Sequence, residues 1–149
     1  MILPPITEIA IVGVFDPGEP NQERIIFRPL EAVNTAQFSV IIGVANANAW
    51  TPVRNMYFWL REQVISPPSW IVLYTGTGAD RVEQDGQGNP VHTMFWGNSF
   101  VLFGTPNAGA APLLIRMSGV EAAMIRNTPT PPAGGLTGQK RLIRPPISK

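Results

Sequence analysis

The sequence predicts an all-β chain: an antiparallel β-sandwich, immunoglobulin-like or jelly-roll-like, with extended arms at its N and C termini. Three observations predict it. Short apolar runs rich in β-branched and aromatic residues recur, roughly eight of them, at the spacing of sandwich strands. Sixteen prolines and 14 glycines punctuate those runs within 149 residues. No segment sustains a helical period between capping residues. With 44% hydrophobic residues, a chain of this length is expected to bury one proper core. The expected domains are a short arm over 1–5, a sandwich over 6–125 and a Pro/Gly-rich basic arm over 126–149.

The elements follow in order. Residues 7–15 (Thr-Glu-Ile-Ala-Ile-Val-Gly-Val-Phe) read as a strand stopped by the turn sequence Asp16-Pro17-Gly18. Residues 23–28 are apolar at Ile25, Ile26 and Phe27, and residues 37–44 read as a buried strand. Residues 54–61 hold Met56, Tyr57, Phe58, Trp59 and Leu60, an aromatic strand. Pro67-Pro68 forbids helix and precedes the strongest strand, 70–75. Residues 76–90 read as a polar loop, long for a hairpin. Strands are expected over 91–96, 100–103 and 113–118, and 119–125 as a short helix or a further strand.

Charge divides the chain. Residues 1–125 carry six Lys/Arg against ten Asp/Glu, a formal −4, and residues 126–149 add five basic side chains and no acid, giving +1. Such a split suits a basic arm lying on an acidic surface. Nucleic acid is disfavoured as the anion, because those five charges sit among prolines with no aromatic residue to stack a base. The arm is too rich in Pro and Gly to fold alone. Its aliphatic residues would anchor it in a groove, and Pro145-Pro146 presets an extended conformation. The arm residues expected to bind a partner are Arg126, Leu136, Lys140, Arg141, Leu142, Ile143, Arg144, Ile147 and Lys149. The chain has no cysteine, so disulfides and thiolate metal sites are excluded. The first residues lack the basic start of a signal peptide, and no apolar stretch reaches the length of a membrane-spanning helix.

Motifs that invite chemistry are incomplete. Gly76-Thr77-Gly78 follows a strand, but Arg81 stands where a dinucleotide fingerprint needs its third glycine, so a turn is expected. Asp80, Glu83 and Asp85 collect carboxylates in one loop without the closing Glu of a calcium loop. They are expected to form a solvated acidic loop, suited to docking a basic arm. His92, the single histidine, has neither a second metal ligand nor a Gly-x-Ser-x-Gly elbow to serve. No cofactor is expected. Alternation along 57–59 sends at least one of Tyr57, Phe58 and Trp59 away from a one-sided core, and Tyr57 and Trp59 are the expected exposed aromatics.

The run Trp70-Ile-Val-Leu-Tyr-Thr-Gly-Thr-Gly78, with Phe95-Trp96-Gly97 further on, resembles bacterial lamin-tail domains. The resemblance implies an immunoglobulin-like binding or scaffolding module, and no catalytic residue. The family's Trp-Asn-Asn and Gly-Asp elements have no counterpart in residues 100–109.

Together these readings favour a non-enzymatic structural subunit of a large protein assembly. Its best expected form is a capsid cement or decoration protein made in the cytosol and carried on a virion. Its partners would be protein, either copies of itself or a larger assembly surface. The alternative is a lamin-tail-like adhesion or carbohydrate-binding module of a bacterial surface protein.

Overall fold

The structure, a computed structural model, describes residues 3–104 and 108–123. The expected arm over 126–149, with every partner-binding residue assigned to it, lies outside the described residues. The chain divides into two units, Met1–Gly119 and Val120–Lys149. In the second, the described residues 120–123 are exposed and carry no regular secondary structure.

The first unit is the all-β sandwich. Its strands are β1 (Ile9–Phe15), β2 (Arg24–Pro29), β3 (Val33–Asn34), β4 (Phe38–Asn46), β5 (Ala49–Trp59), β6 (Val64–Ile65), β7 (Trp70–Tyr74), β8 (Arg81–Gln84), β9 (Pro90–Phe95) and β10 (Ala110–Arg116). A five-stranded sheet has the order β1-β2-β7-β9-β8, a three-stranded sheet the order β10-β4-β5, and β3 pairs with β6. Every pairing is antiparallel except β7 with β9, so the larger sheet is mixed. That exception arises because β8 and β9 form a hairpin whose second strand inserts beside β7.

Period-two alternation explains which residues enter the core. Ile25 and Phe27 of β2 point inward with Ile71 and Leu73 of β7 and Met94 of β9. Phe38, Val40 and Ile42 of β4 meet them from the other sheet with Phe58 of β5. Each such side chain stabilises the fold by about 1.5–3 kcal/mol on burial. Between the sheets a single-turn 3-10 helix, Thr35–Gln37, is capped by the Asn34 Oδ1 accepting from the Ala36 amide at 3.0 Å. Buried Thr35 ties this crossing to 61–63, its amide donating to the Gln63 carbonyl at 2.9 Å.

Two expectations are corrected here. The polar loop expected over 76–90 contains β8, whose four residues are all exposed. An edge strand needs no apolar face, so its sequence carries no strand signature. Conversely Phe100-Val101-Leu102-Phe103 reads as a strand but bends. The Leu102 and Phe103 amides donate to the two carboxylate oxygens of Glu23 at 2.7 and 2.9 Å.

Candidate functional site

The two sheets present different outer surfaces. On the larger sheet, one row crosses all five strands: Phe15, Arg24, Tyr74, Phe95 and Arg81. The Arg24 guanidinium lies 5.7 Å from the Phe15 ring centre and 5.9 Å from that of Tyr74. Tyr74 stacks on Phe95 at 5.2 Å, and Arg81 lies 5.5 Å from Phe95. Both arginines are also ion-paired, Arg24 with Asp16 at 2.6 Å and Arg81 with Glu83. Charge and π faces on this sheet satisfy one another within the chain.

The outer face of the smaller sheet has nothing comparable. Since Phe38, Val40 and Ile42 point inward, Ser39, Ile41 and Gly43 point outward. The register sets Trp59 and Ile115 beside Ser39, Tyr57 and Leu113 beside Ile41. Trp50 shares the face, because a Cβ on Gly43 would lie 2.7 Å from Leu113 Cδ1 and 3.4 Å from Trp50 Cε3. None of these side chains is charged. Trp50, Tyr57 and Trp59 are 48%, 52% and 47% exposed, although isolated aromatics of that size usually bury far more. The Tyr57 hydroxyl bonds Ser39 Oγ at 2.7 Å, which leaves that serine wholly buried beneath the ring. Trp59 Nε1 donates to the Ala36 carbonyl at 2.7 Å. The rings are thus held in place with their apolar surfaces outward.

Tyr57 and Trp59, expected to be exposed, sit here together, with Phe58 between them turned into the core against Trp96 at 5.5 Å. Trp50 was not legible, standing alone in the polar stretch Asn46-Ala-Asn-Ala-Trp-Thr51. The available signal was that stretch itself, a tight connection that pairs Asn46 with Ala49 and leaves the tip of the hairpin exposed on both faces.

Along one flank the edge strands of the two sheets run side by side. β1 is the terminal strand of the larger sheet and β10 that of the smaller. A groove of about 580 Å³ lies between them, lined by apolar side chains including Leu3, Ile6, Ile9, Ile11, Leu113 and Ile115. Arg116 and Glu8 bridge it with two hydrogen bonds at 3.0 and 3.2 Å. The seven residues of β1 include no charge and no proline, the two features with which edge strands commonly resist pairing.

The expected acidic loop is distributed differently among its residues. Asp80 pairs with Arg61 and accepts from the Phe95 amide at 3.2 Å, while Glu83 pairs with Arg81. Asp85 organises the β8–β9 turn, its Oδ1 accepting from the Gln87 and Asn89 amides at 2.8 and 2.9 Å. The Asn89 amide, with these further donors, holds the Asp85 carboxyl below its ordinary range. Among the described residues no three His, Asp or Glu side chains are grouped as a metal site would need. His92 lies in a shallow cleft with Arg61 and Asp80. Its bond is to Gln63: the amide Nε2 lies 3.0 Å from the ring Nδ1, which therefore accepts and leaves the proton on Nε2. Burial pushes this imidazole below its usual value.

Gly78 of the Gly-Thr-Gly sequence has a packing role, since a Cβ there would lie within 2.6 Å of the Phe95 ring. Sequence reasoning missed Glu23 entirely. It is buried, and its carboxylate accepts from Thr75 Oγ1, the Leu102 amide, the Gly18 amide and the Phe103 amide at 2.7, 2.7, 2.7 and 2.9 Å. No helix among the described residues is long and apolar enough to cross a membrane. No family model matches the chain, and no curated protein or solved structure matches it either.

Proposed function

We propose that this protein is a non-enzymatic structural subunit that binds other protein surfaces, in the first place copies of itself. The observation that carries this reading is the cluster of Trp50, Tyr57 and Trp59, half exposed together on the outer face of the β10-β4-β5 sheet. The first unit holds six basic and nine acidic residues, and none of them belongs to the patch of Ser39, Ile41, Trp50, Tyr57, Trp59, Leu113 and Ile115, although exposed Arg54 stands on the same strand as Trp50 and Tyr57. A two-fold contact joins the same patch on both copies, residue i meeting j and j meeting i, so an uncharged patch can meet itself without like-charge repulsion. Fixed aromatic rings are also the side chains that dominate interface energetics. The small cysteine-free body and the basic, proline-rich stretch 126–149 support a decoration or cement subunit on a large protein shell, such as a viral capsid, as the specific form.

Light scattering across a concentration series tests this. The full chain is expected to associate, and Trp50→Ser with Trp59→Ser to weaken association by roughly 30-fold or more, the effect of losing at least one hot spot of about 2 kcal/mol. A chain that stays monomeric at all concentrations, and instead binds polysaccharide through the same tryptophans, would make the lamin-tail-like module the better reading.

A further inference from the structure

We infer that the groove between β1 and β10 receives residues 142–147 of a second copy as an added strand; this rests on the assembly reading above. The groove has the form such a strand requires. The outer edge of β1 has no ladder partner among the described residues, so its free backbone groups are ready to pair. Proline 112 breaks the donor row of β10, which assigns the pairing to β1 and makes β10 an apolar wall. The lining at Ile9, Ile11, Leu113 and Ile115 accepts aliphatic side chains from one face of the incoming segment.

Residues 142–147, Leu-Ile-Arg-Pro-Pro-Ile, match that demand. In an extended conformation Ile143, Pro145 and Ile147 share one face, wholly apolar, and Arg144 falls on the other. The two prolines preset the backbone and reduce the ordering cost of binding. Paired through Leu142, Ile143 and Arg144, the segment keeps its prolines past the bonded stretch, where they are tolerated. Charge agrees as well, because the stretch 126–149 carries five basic residues and no acid, against an acidic body. Reach is sufficient: from Ala123 to Leu142 the chain can span roughly 60 Å, and a body of this size is only about 35 Å across.

The absence of cysteine makes a direct test clean. Full-length Ile11→Cys and Ile143→Cys chains are mixed under mild oxidation, with Ile6→Cys as a second groove probe. Val82→Cys, 61% exposed on β8 at the opposite edge of the sheet, serves as the control. Disulfide-linked heterodimers with Ile143→Cys should form at least tenfold faster for the groove positions than for the control. Equal rates, in a chain that still associates by light scattering, overturn the groove assignment and leave the assembly reading standing. Equal rates in a chain that stays monomeric overturn both. An Ile11→Cys/Ile143→Cys chain that closes only within a monomer overturns the second copy as the donor.

Discussion

The outer faces of the two sheets differ in how their aromatic residues are used. On the larger sheet Phe15, Tyr74 and Phe95 alternate with Arg24 and Arg81, so each ring meets a cation or another ring of the same chain. On the smaller sheet Trp50, Tyr57 and Trp59 are anchored at their edges or against a glycine, with no cation over their faces among the described contacts. The first surface is complete by itself. The second leaves the apolar faces of these rings half exposed among the described residues. Aromatic content alone therefore does not distinguish the two faces; the ring and cation partners within the described residues do.

The largest change expected comes from the self-contained side. Glu23→Ala leaves the buried Leu102 and Phe103 amides and the half-buried Gly18 amide without their acceptor, and the Thr75 hydroxyl with only the Glu23 carbonyl at 3.5 Å. Stability should fall by about 3–5 kcal/mol, read from denaturant midpoints. A loss under about 1 kcal/mol would mean that water replaces the carboxylate and that this end of the sheet is not closed.

A smaller change sharpens the contrast directly. Arg24→Met removes two ring contacts and the pair with Asp16. It should cost about 1–2 kcal/mol, since each exposed cation–π contact contributes about 0.5–1 kcal/mol and such ion pairs little. Association should be unchanged, whereas Trp50→Ser should weaken association with little effect on stability. If Arg24→Met also reduced association, the larger sheet would share in the interface and the division between the two faces would fail.

The smallest effect concerns pH at the β8–β9 end. Burial depresses the His92 imidazole in the folded state from its ordinary 6.5. As pH falls below that value the unfolded chain takes up a proton that the folded chain resists, so stability is lost on acidification through that window. His92→Gln should remove this slope in thermal melts between pH 7 and 5. A slope that survives the substitution would assign the titration to another group.

Much of the architecture was legible because alternation and turn chemistry are local. The runs at 9–15, 38–46 and 70–74 announce themselves through β-branched residues between turn signals. β8 was hidden because all four of its residues face water, so no burial pattern marks it. The false strand at 100–103 has the right composition, but a carboxylate about 80 residues earlier in sequence takes its amides. Nothing near Glu23 in the sequence announces that role. At the candidate site, Tyr57 and Trp59 were legible because three consecutive aromatics cannot all point one way. Trp50 was not, because its place over Gly43 follows from the register of β4 with β5.

The sequence by itself determined the all-β class, the alternation that sets Phe58 on the opposite face from Tyr57 and Trp59, the absence of thiol chemistry, and the charge split between residues 1–125 and 126–149. These follow from residue types and spacing of a few positions, which backbone geometry converts into structure without reference to the rest of the chain. Only the tertiary structure decided that β9 lies parallel to β7, that the acidic residues 80, 83 and 85 are engaged inside their own unit, and that β1 and β10 flank an apolar groove. Those outcomes depend on which distant strands become neighbours. That choice is made by burying the whole core at once, so no local stretch of sequence contains it.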